Sequence, residues 1–121
     1  MKQIITIFTL CMMNIAFAQD KNARATMEVD GVCGMCKERI EKAAIKTKGV
    51  KSAVWTINTH QLDLIYDARK TDVDAISASV AAVGHDTKAI KATDEAYLSV
   101  HDCCRYRDIE VQKEHEVDIE N

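Results

Sequence analysis

The spacing of apolar residues changes several times along this chain, and each change marks an element. From Ala25 to Val29 apolar and polar residues alternate, the period of a half-buried strand. Asp30-Gly31 reads as a turn. After a short loop, residues 36–48 take a helical period, with Ile40, Ala43, Ala44 and Thr47 on one face. Glu38 and Lys42 make an i,i+4 pair on the solvent side, and Gly49 stops the helix. Alternation returns in Val50 to Asn58, with Ala53, Trp55 and Ile57 on one side, and again in Leu62 to Tyr66. Thr59-His60-Gln61 joins the two as a hairpin. Thr71 is the expected N-cap of a second helix, with Asp72 and Asp74 in its first turn. Val73, Ile76, Val80 and Val83 form its buried stripe, and Gly84 ends it. Thr87 to Lys91 reads as a fourth strand.

Strand, helix, strand, strand, helix, strand over residues 24–91 is the split βαβ order. It predicts an α+β, ferredoxin-like βαββαβ sandwich, a four-stranded antiparallel sheet with two helices on one face. Trp55 and the Val and Ile positions are then core residues. A C-terminal helical extension follows at 92–107, read as a third helix over Asp94 to Arg105 that packs Tyr97, Leu98 and Val100. Residues 108–121 are charged and mostly polar, and are expected to be an acidic, disordered tail.

The N-terminal end does not belong to that domain. Lys2 precedes a mostly apolar run from Ile4 to Phe17, and Ala16-Phe17-Ala18 fits the small-x-small rule for signal cleavage. Residues 1–18 are therefore read as a signal peptide, discarded with Cys11, and 19–23 as a polar leader. The apolar run is shorter than the roughly 18 residues of a spanning helix, which favours a cleaved signal over an uncleaved anchor. The protein is expected to be periplasmic or otherwise exported, and not membrane-embedded after cleavage. The formal charge of −3 argues against nucleic-acid binding, which calls for a basic patch. Export also implies an oxidising compartment, where thiols persist for a reason such as a bound metal, or else become disulfides.

The cysteines carry the chemistry. Cys33-Gly34-Met35-Cys36 places two thiols three residues apart at a helix start, where the positive helix end favours thiolates. Thiolates bind soft metals or exchange disulfides. A two-thiolate site suits Cu(I) and also Hg(II), whereas Zn(II) generally wants four ligands. Cys103 and Cys104 extend the question. An antiparallel fourth strand of about 17 Å would end at the pole opposite the cysteine loop. An eleven-residue helix, again about 17 Å, is long enough to bring the vicinal pair back. Cys33, Cys36, Cys103 and Cys104, with His85 or His101 nearby, are accordingly expected to form one metal site or a small cluster. The alternatives are a structural disulfide between the two pairs, or a separate tail site of His101 and Cys103. His60, His115 and the tail acids read as solvated residues.

The stretch from Val32 to Ala43, Val-Cys-Gly-Met-Cys-Lys-Glu-Arg-Ile-Glu-Lys-Ala, resembles the loop and first helix of heavy-metal-associated domains. Gly49-Val50-Lys51-Ser52-Ala53 is similar to that family's helix-to-strand junction, and Val83-Gly84-His85-Asp86 to its second-helix exit. Three segments in the right order are more specific than Cys-x-x-Cys alone. The family includes copper chaperones, metal-binding modules of heavy-metal P-type ATPases and a periplasmic mercuric-ion binding protein. It usually has Gly-Met-Thr-Cys ahead of the pair; here the sequence is Gly31-Val32-Cys33, and Met35 lies inside the pair. The resemblance implies a metallochaperone or scavenger, not an enzyme, with a P-type ATPase or efflux system as partner. It also implies that the loop after the second helix lies beside the cysteines, making His85 a third ligand.

Two other function classes stay open at this level. Cys-x-x-Cys at a helix start also suits a thiol–disulfide oxidoreductase, although the chain has no proline to supply the cis-proline of thioredoxin-like sites. An interaction module stapled by disulfides is the other. No Ser/His/Asp set, phosphate loop or paired-carboxylate cleft points to hydrolysis or group transfer.

Overall fold

A computed structural model describes residues 20–119, with side chains described through Glu116. The segment read as a signal peptide, with Cys11, lies outside the described residues, as do Gln19 and the last two residues of the tail. Three strands form one antiparallel sheet: β1 (Ala23–Glu28), β2 (Val50–Thr56) and β3 (Gln61–Tyr66), in the order β1-β3-β2. The register aligns Met27 with Leu62 and Leu62 with Trp55, so one face carries a continuous apolar row. On the other face Thr26 Oγ1 donates to Asp63 Oδ1 at 2.8 Å.

Helices α1 (Gly34–Lys46) and α2 (Val73–Ala82) cover the apolar face. α1 buries Ile40, Ala43 and Ala44, and α2 buries Ile76 and Val80, the stripes expected from spacing. Two ties fix α1 on β2: Lys37 Nζ donates to the Trp55 carbonyl, and the Glu41 carboxylate accepts from the Trp55 amide at 2.9 Å. Lys37 pairs with Glu41 in place of the expected Glu38 and Lys42. Asp72, one residue beyond the expected Thr71, caps α2, its carboxylate accepting from the Ala75 amide at 2.8 Å.

The expected fourth strand is reduced to a single bridge between Val29 and Thr87. Thr87 closes a turn on itself instead: its amide donates to the Ile90 carbonyl, and its Oγ1 accepts from the Ile90 amide. The Asp86 carboxylate meanwhile takes the Ala92 amide at 2.7 Å, which bends the chain away from the sheet edge.

The extension is also not one helix. α3 spans only Asp94–Leu98, and a 3-10 turn follows at Asp102–Cys104. Ser99 Oγ donates to the Ala96 carbonyl, and the Val100 amide reaches back to Tyr97, closing the helix early. The tail expected to be disordered holds α4 (Ile109–Ile119). Its first two turns are held by the Asp108 carboxylate on the Glu110 amide, by Gln112 Nε2 on the Tyr106 carbonyl, and by His115 Nε2 donating to the Cys103 carbonyl at 2.9 Å. These contacts with the extension give the polar helix the anchorage its composition lacks.

Candidate metal centre

Cys33 is the N-cap of α1. Its extended backbone (φ −148°) turns Sγ back over the helix start, where it accepts from the Cys36 amide at 3.4 Å. No carboxylate sits in the first turn of α1, so the positive helix end is left for the thiols. The loop rests on a rigid floor. A Cβ at Gly31 would lie 3.0 Å from the Trp55 ring and 3.1 Å from Cys36 Cβ, so any side chain there would press on the ring and on the cysteine. Trp55 is fixed beneath by its Nε1 donating to the Val29 carbonyl at 3.0 Å.

Sulfurs from both ends of the chain converge on this loop. Cys33 Sγ lies 3.3 Å from Cys36 Sγ and 3.0 Å from Cys104 Sγ, although Cys104 is 71 positions away in sequence. The Cys36 thiol also donates to the Cys104 carbonyl at 3.9 Å. Cys103 Sγ stands 3.9 Å from Cys104 Sγ, and the ligand atoms of Cys33, Cys103 and Cys104 all lie within 4.8 Å of one another. Cys36 and Cys104 are completely buried, Cys33 partly and Cys103 exposed. All four are free thiols.

The acidities differ by position. Burial pushes the Cys33 thiol up, but the Cys104 thiol and the helix-start amides bond its sulfur and bring it below the ordinary thiol value. Burial raises Cys36, whose neighbour Cys33 adds to the rise. Cys104 is pushed far up, first by burial and then by Cys33 and Cys36, and Arg39 offsets only part of this. One thiol is therefore primed for attack on a metal, and the other two yield their protons when an ion displaces them.

The donor set fits a soft ion. Three sulfurs around one metal at about 2.3 Å stand roughly 3.8–4.0 Å apart. The Cys33–Cys104 and Cys33–Cys36 contacts, at 3.0 and 3.3 Å, have to open towards that spacing, and Cys36 Sγ lies outside the set of sulfurs within 4.8 Å of one another. Thiolate donors select Cu(I) and related soft ions over Mg(II) or Ca(II).

His85 has a different task from the one expected. It is fully buried, and Nδ1 lies 2.8 Å from the Asp30 carbonyl, which can only accept, so Nδ1 carries the proton. Nε2, with the lone pair a metal would need, faces the Arg39 guanidinium at 3.4 Å. Burial holds this imidazole at about 4, so it is neutral at physiological pH. It does not join the sulfur group. His101 is exposed at the start of the 3-10 turn and also lies outside that group. His60 stacks on Trp55 at 5.7 Å.

What brings Cys104 home is a lock between Gly84-His85-Asp86 and Tyr106-Arg107. Tyr106 Oη donates to the Gly84 carbonyl at 2.7 Å and accepts from the Asp86 amide at 2.8 Å. His85 stacks on the Tyr106 ring at 5.3 Å. Arg107 grips the Asp86 carboxylate with two bonds, at 2.7 and 3.1 Å, and lies 4.3 Å over the Tyr97 ring. Gly84, at φ +103°, lets α3 approach: a Cβ there would stand 2.6 Å from the Ala96 carbonyl oxygen. Tyr106 and Arg107 did not stand out in the sequence, and Arg39 and Asp86 entered only as members of the resembling segments. The one available signal was Gly-His-Asp occurring in the same chain as a Cys-Cys extension.

A βαββα core with a paired-cysteine loop capping its first helix defines a heavy-metal-associated domain. The sequence profile of that family matches residues 26–86, half of the chain, and the chain belongs to it. A copper-exporting P-type ATPase of Staphylococcus saprophyticus is 32% identical over 75 residues, and one of Staphylococcus haemolyticus is 29% identical over 73. These alignments take in 61% and 60% of this chain but only 9% of each ATPase. Among solved structures, the CopZ metallochaperone is 29% identical with a TM-score of 0.52, covering 54% of this chain and 98% of its own. Oxidised MerP from Ralstonia metallidurans CH34 is 28% identical with a TM-score of 0.53, covering 55% and 94%. The family match ends before the segment that carries Cys103 and Cys104. Among the described residues no helix is long and apolar enough to cross a membrane.

Proposed function

We propose that this chain is an exported carrier of a soft metal ion, chaperone or scavenger, with Cu(I) as its cargo. Cys33 and Cys36 capture the ion and Cys104 completes a three-sulfur site. The observation that carries this reading is the approach of Cys104 Sγ to 3.0 Å from Cys33 Sγ, at a helix start that favours thiolates. Copper relatives among ATPases and the CopZ metallochaperone support copper over mercury, while the MerP likeness keeps Hg(II) as the competitor. Zn(II) would need a fourth ligand; among the described residues Cys103, with Sγ 3.9 Å from Cys104 Sγ, is the candidate.

Release proceeds by ligand exchange. An incoming thiolate from a partner, such as the metal-binding module of a P-type ATPase or an efflux system, displaces Cys104 as the 92–107 strap lifts. Cys33 and Cys36 then hand over the ion through shared two-thiolate intermediates. The third sulfur makes this chain a slower donor and a tighter holder than a two-cysteine carrier.

The test is metal analysis and X-ray absorption on anaerobically purified protein loaded with Cu(I). Three sulfur neighbours and no nitrogen are expected, falling to two sulfurs in Cys104→Ser. A nitrogen in the shell, or an unchanged sulfur count in that variant, would overturn the three-sulfur site. The same 3.0 Å approach favours one competing state, a Cys33–Cys104 disulfide that staples the strap. Thiol counting on protein taken from its native compartment separates the two, because a metal-free chain lacking those two thiols is the staple.

A further inference from the structure

We propose that the chain holds a second soft monovalent ion, on Met35 and Cys103, joined to the first through Cys104. This deepens the reading of the sulfur site and rests on it. Cys103 Sγ lies 3.6 Å from the Met35 thioether sulfur and 3.9 Å from Cys104 Sγ. Two sulfurs that share one ion at about 2.3 Å in tetrahedral geometry stand about 3.8 Å apart, so both spacings already suit a chelate. The contacts at the primary site are shorter, at 3.0 and 3.3 Å, and have to open.

Packing gives no reason for Met35 and Cys103 to be where they are. Met35 is 42% exposed, on the second residue of α1, and Cys103 is exposed on the 3-10 turn. Together with Ser99, Val100, His101 and Asp102 they line an open surface depression of about 450 Å³. A thioether beside a thiol, both facing solvent, is a pairing selective for soft ions such as Cu(I) or Ag(I). Cys104 Sγ lies between the two positions, 3.0 Å from Cys33 Sγ and 3.9 Å from Cys103 Sγ, which is the place of a bridging thiolate.

Binding at the second position balances simply. The Cys103 S–H bond breaks, a sulfur–metal bond forms and one proton leaves to solvent. Met35 contributes a lone pair and no proton. No electron moves, and the metal stays monovalent. The exposed position is then the one through which an ion enters, and the buried position is the one that holds it.

The experiment is a titration of the mature chain, from Gln19 onward, with Ag(I), a diamagnetic probe, followed by native mass spectrometry and by methionine-methyl NMR. Two ions per chain are expected, with the second equivalent moving the Met35 methyl signal and leaving the buried Met27 signal in place. Met35→Leu and Cys103→Ser should each keep the first ion and lose the second. Because both side chains are exposed, neither variant threatens the fold. A Met35 methyl that stays still through two equivalents, or a Met35→Leu chain that still takes two ions, would overturn the proposal. Failure of the first equivalent in the wild-type chain would instead strike the Cys33–Cys36–Cys104 reading, and Cys33→Ser identifies which ion that equivalent is.

Discussion

Replacing Arg107 with alanine should unlatch the strap without unfolding the domain. Arg107 donates to both Asp86 oxygens and to the Ala92 carbonyl at 2.8 Å. Its removal leaves the Asp86 carboxylate facing only the Ala92 amide. Breaking a buried pair by removing one partner costs about 3–5 kcal/mol. The side chains here keep 24% and 12% exposure, so the lower end, about 3 kcal/mol, applies. At 1.4 kcal/mol per tenfold, the opening constant of the strap rises roughly 100-fold. Alkylation of the cysteines reads this out directly. Cys104 is completely buried and reacts only when the strap opens, whereas its neighbour Cys103 is exposed and serves as an internal reference. When reclosing is fast relative to labelling, the rate follows the open population. The Cys104-to-Cys103 labelling ratio, measured by peptide mass spectrometry, should rise by about two orders of magnitude while circular dichroism stays native. An unchanged ratio would refute the claim that this ion pair holds the third sulfur at the site.

Other consequences are equally direct. His85 is held at about 4 by burial, against 6.5 in the unfolded chain, so the unfolded state binds more protons between those values. Stability should be complete above about pH 6.5 and fall by about 3 kcal/mol as the pH drops towards 4; His85→Asn, which keeps the donor to Asp30, should flatten that slope in urea titrations. Gly84→Ala places a Cβ at φ +103° against the Ala96 carbonyl and should cost about 2 kcal/mol or more, seen as a lower urea midpoint together with faster Cys104 labelling. Cys104→Ala removes the thiol that bonds the Cys33 sulfur, so the pH profile of Cys33 alkylation should move to higher pH; a profile that stays put would assign the lowered value to the helix start alone.

The helices show where local reading succeeds and where it stops. Ile40, Ala43, Ala44, Ile76 and Val80 are buried as their spacing predicts, because an amphipathic period is a property of consecutive residues. The segment Thr87 to Lys91 alternates too weakly to decide its own fate. It loses its strand to the Asp86 carboxylate, whose partners Ala92 and Arg107 lie outside it. Asp94 to Arg105 fails as one helix because its ends answer to different neighbours: Ala96 docks against Gly84, and Tyr106 bonds that same residue's carbonyl. The polar 109–119 segment lacks a core face of its own and is ordered through its contacts with the extension.

His85 is the sharpest case at the site. The resemblance places its loop beside the cysteines, and the loop is there. Which way the imidazole turns depends on the Asp30 carbonyl and on Arg39, 55 and 46 positions away. Histidine in a metal-binding family is a natural ligand, yet here burial and two hydrogen bonds make it part of the floor under Tyr106.

The sequence by itself determined the order of elements from β1 to α2, the apolar stripes and the paired thiols at a helix start. Each of these depends on residues a few positions apart, within reach of a single turn or strand. The third sulfur, the latch that holds it and the Met35–Cys103 contact were decided only by tertiary structure. Cys33 and Cys104 meet across 71 positions, and their 3.0 Å separation is the sum of every turn, glycine approach and ion pair between them. Small changes in any of those accumulate over the path, so no local pattern encodes the distance.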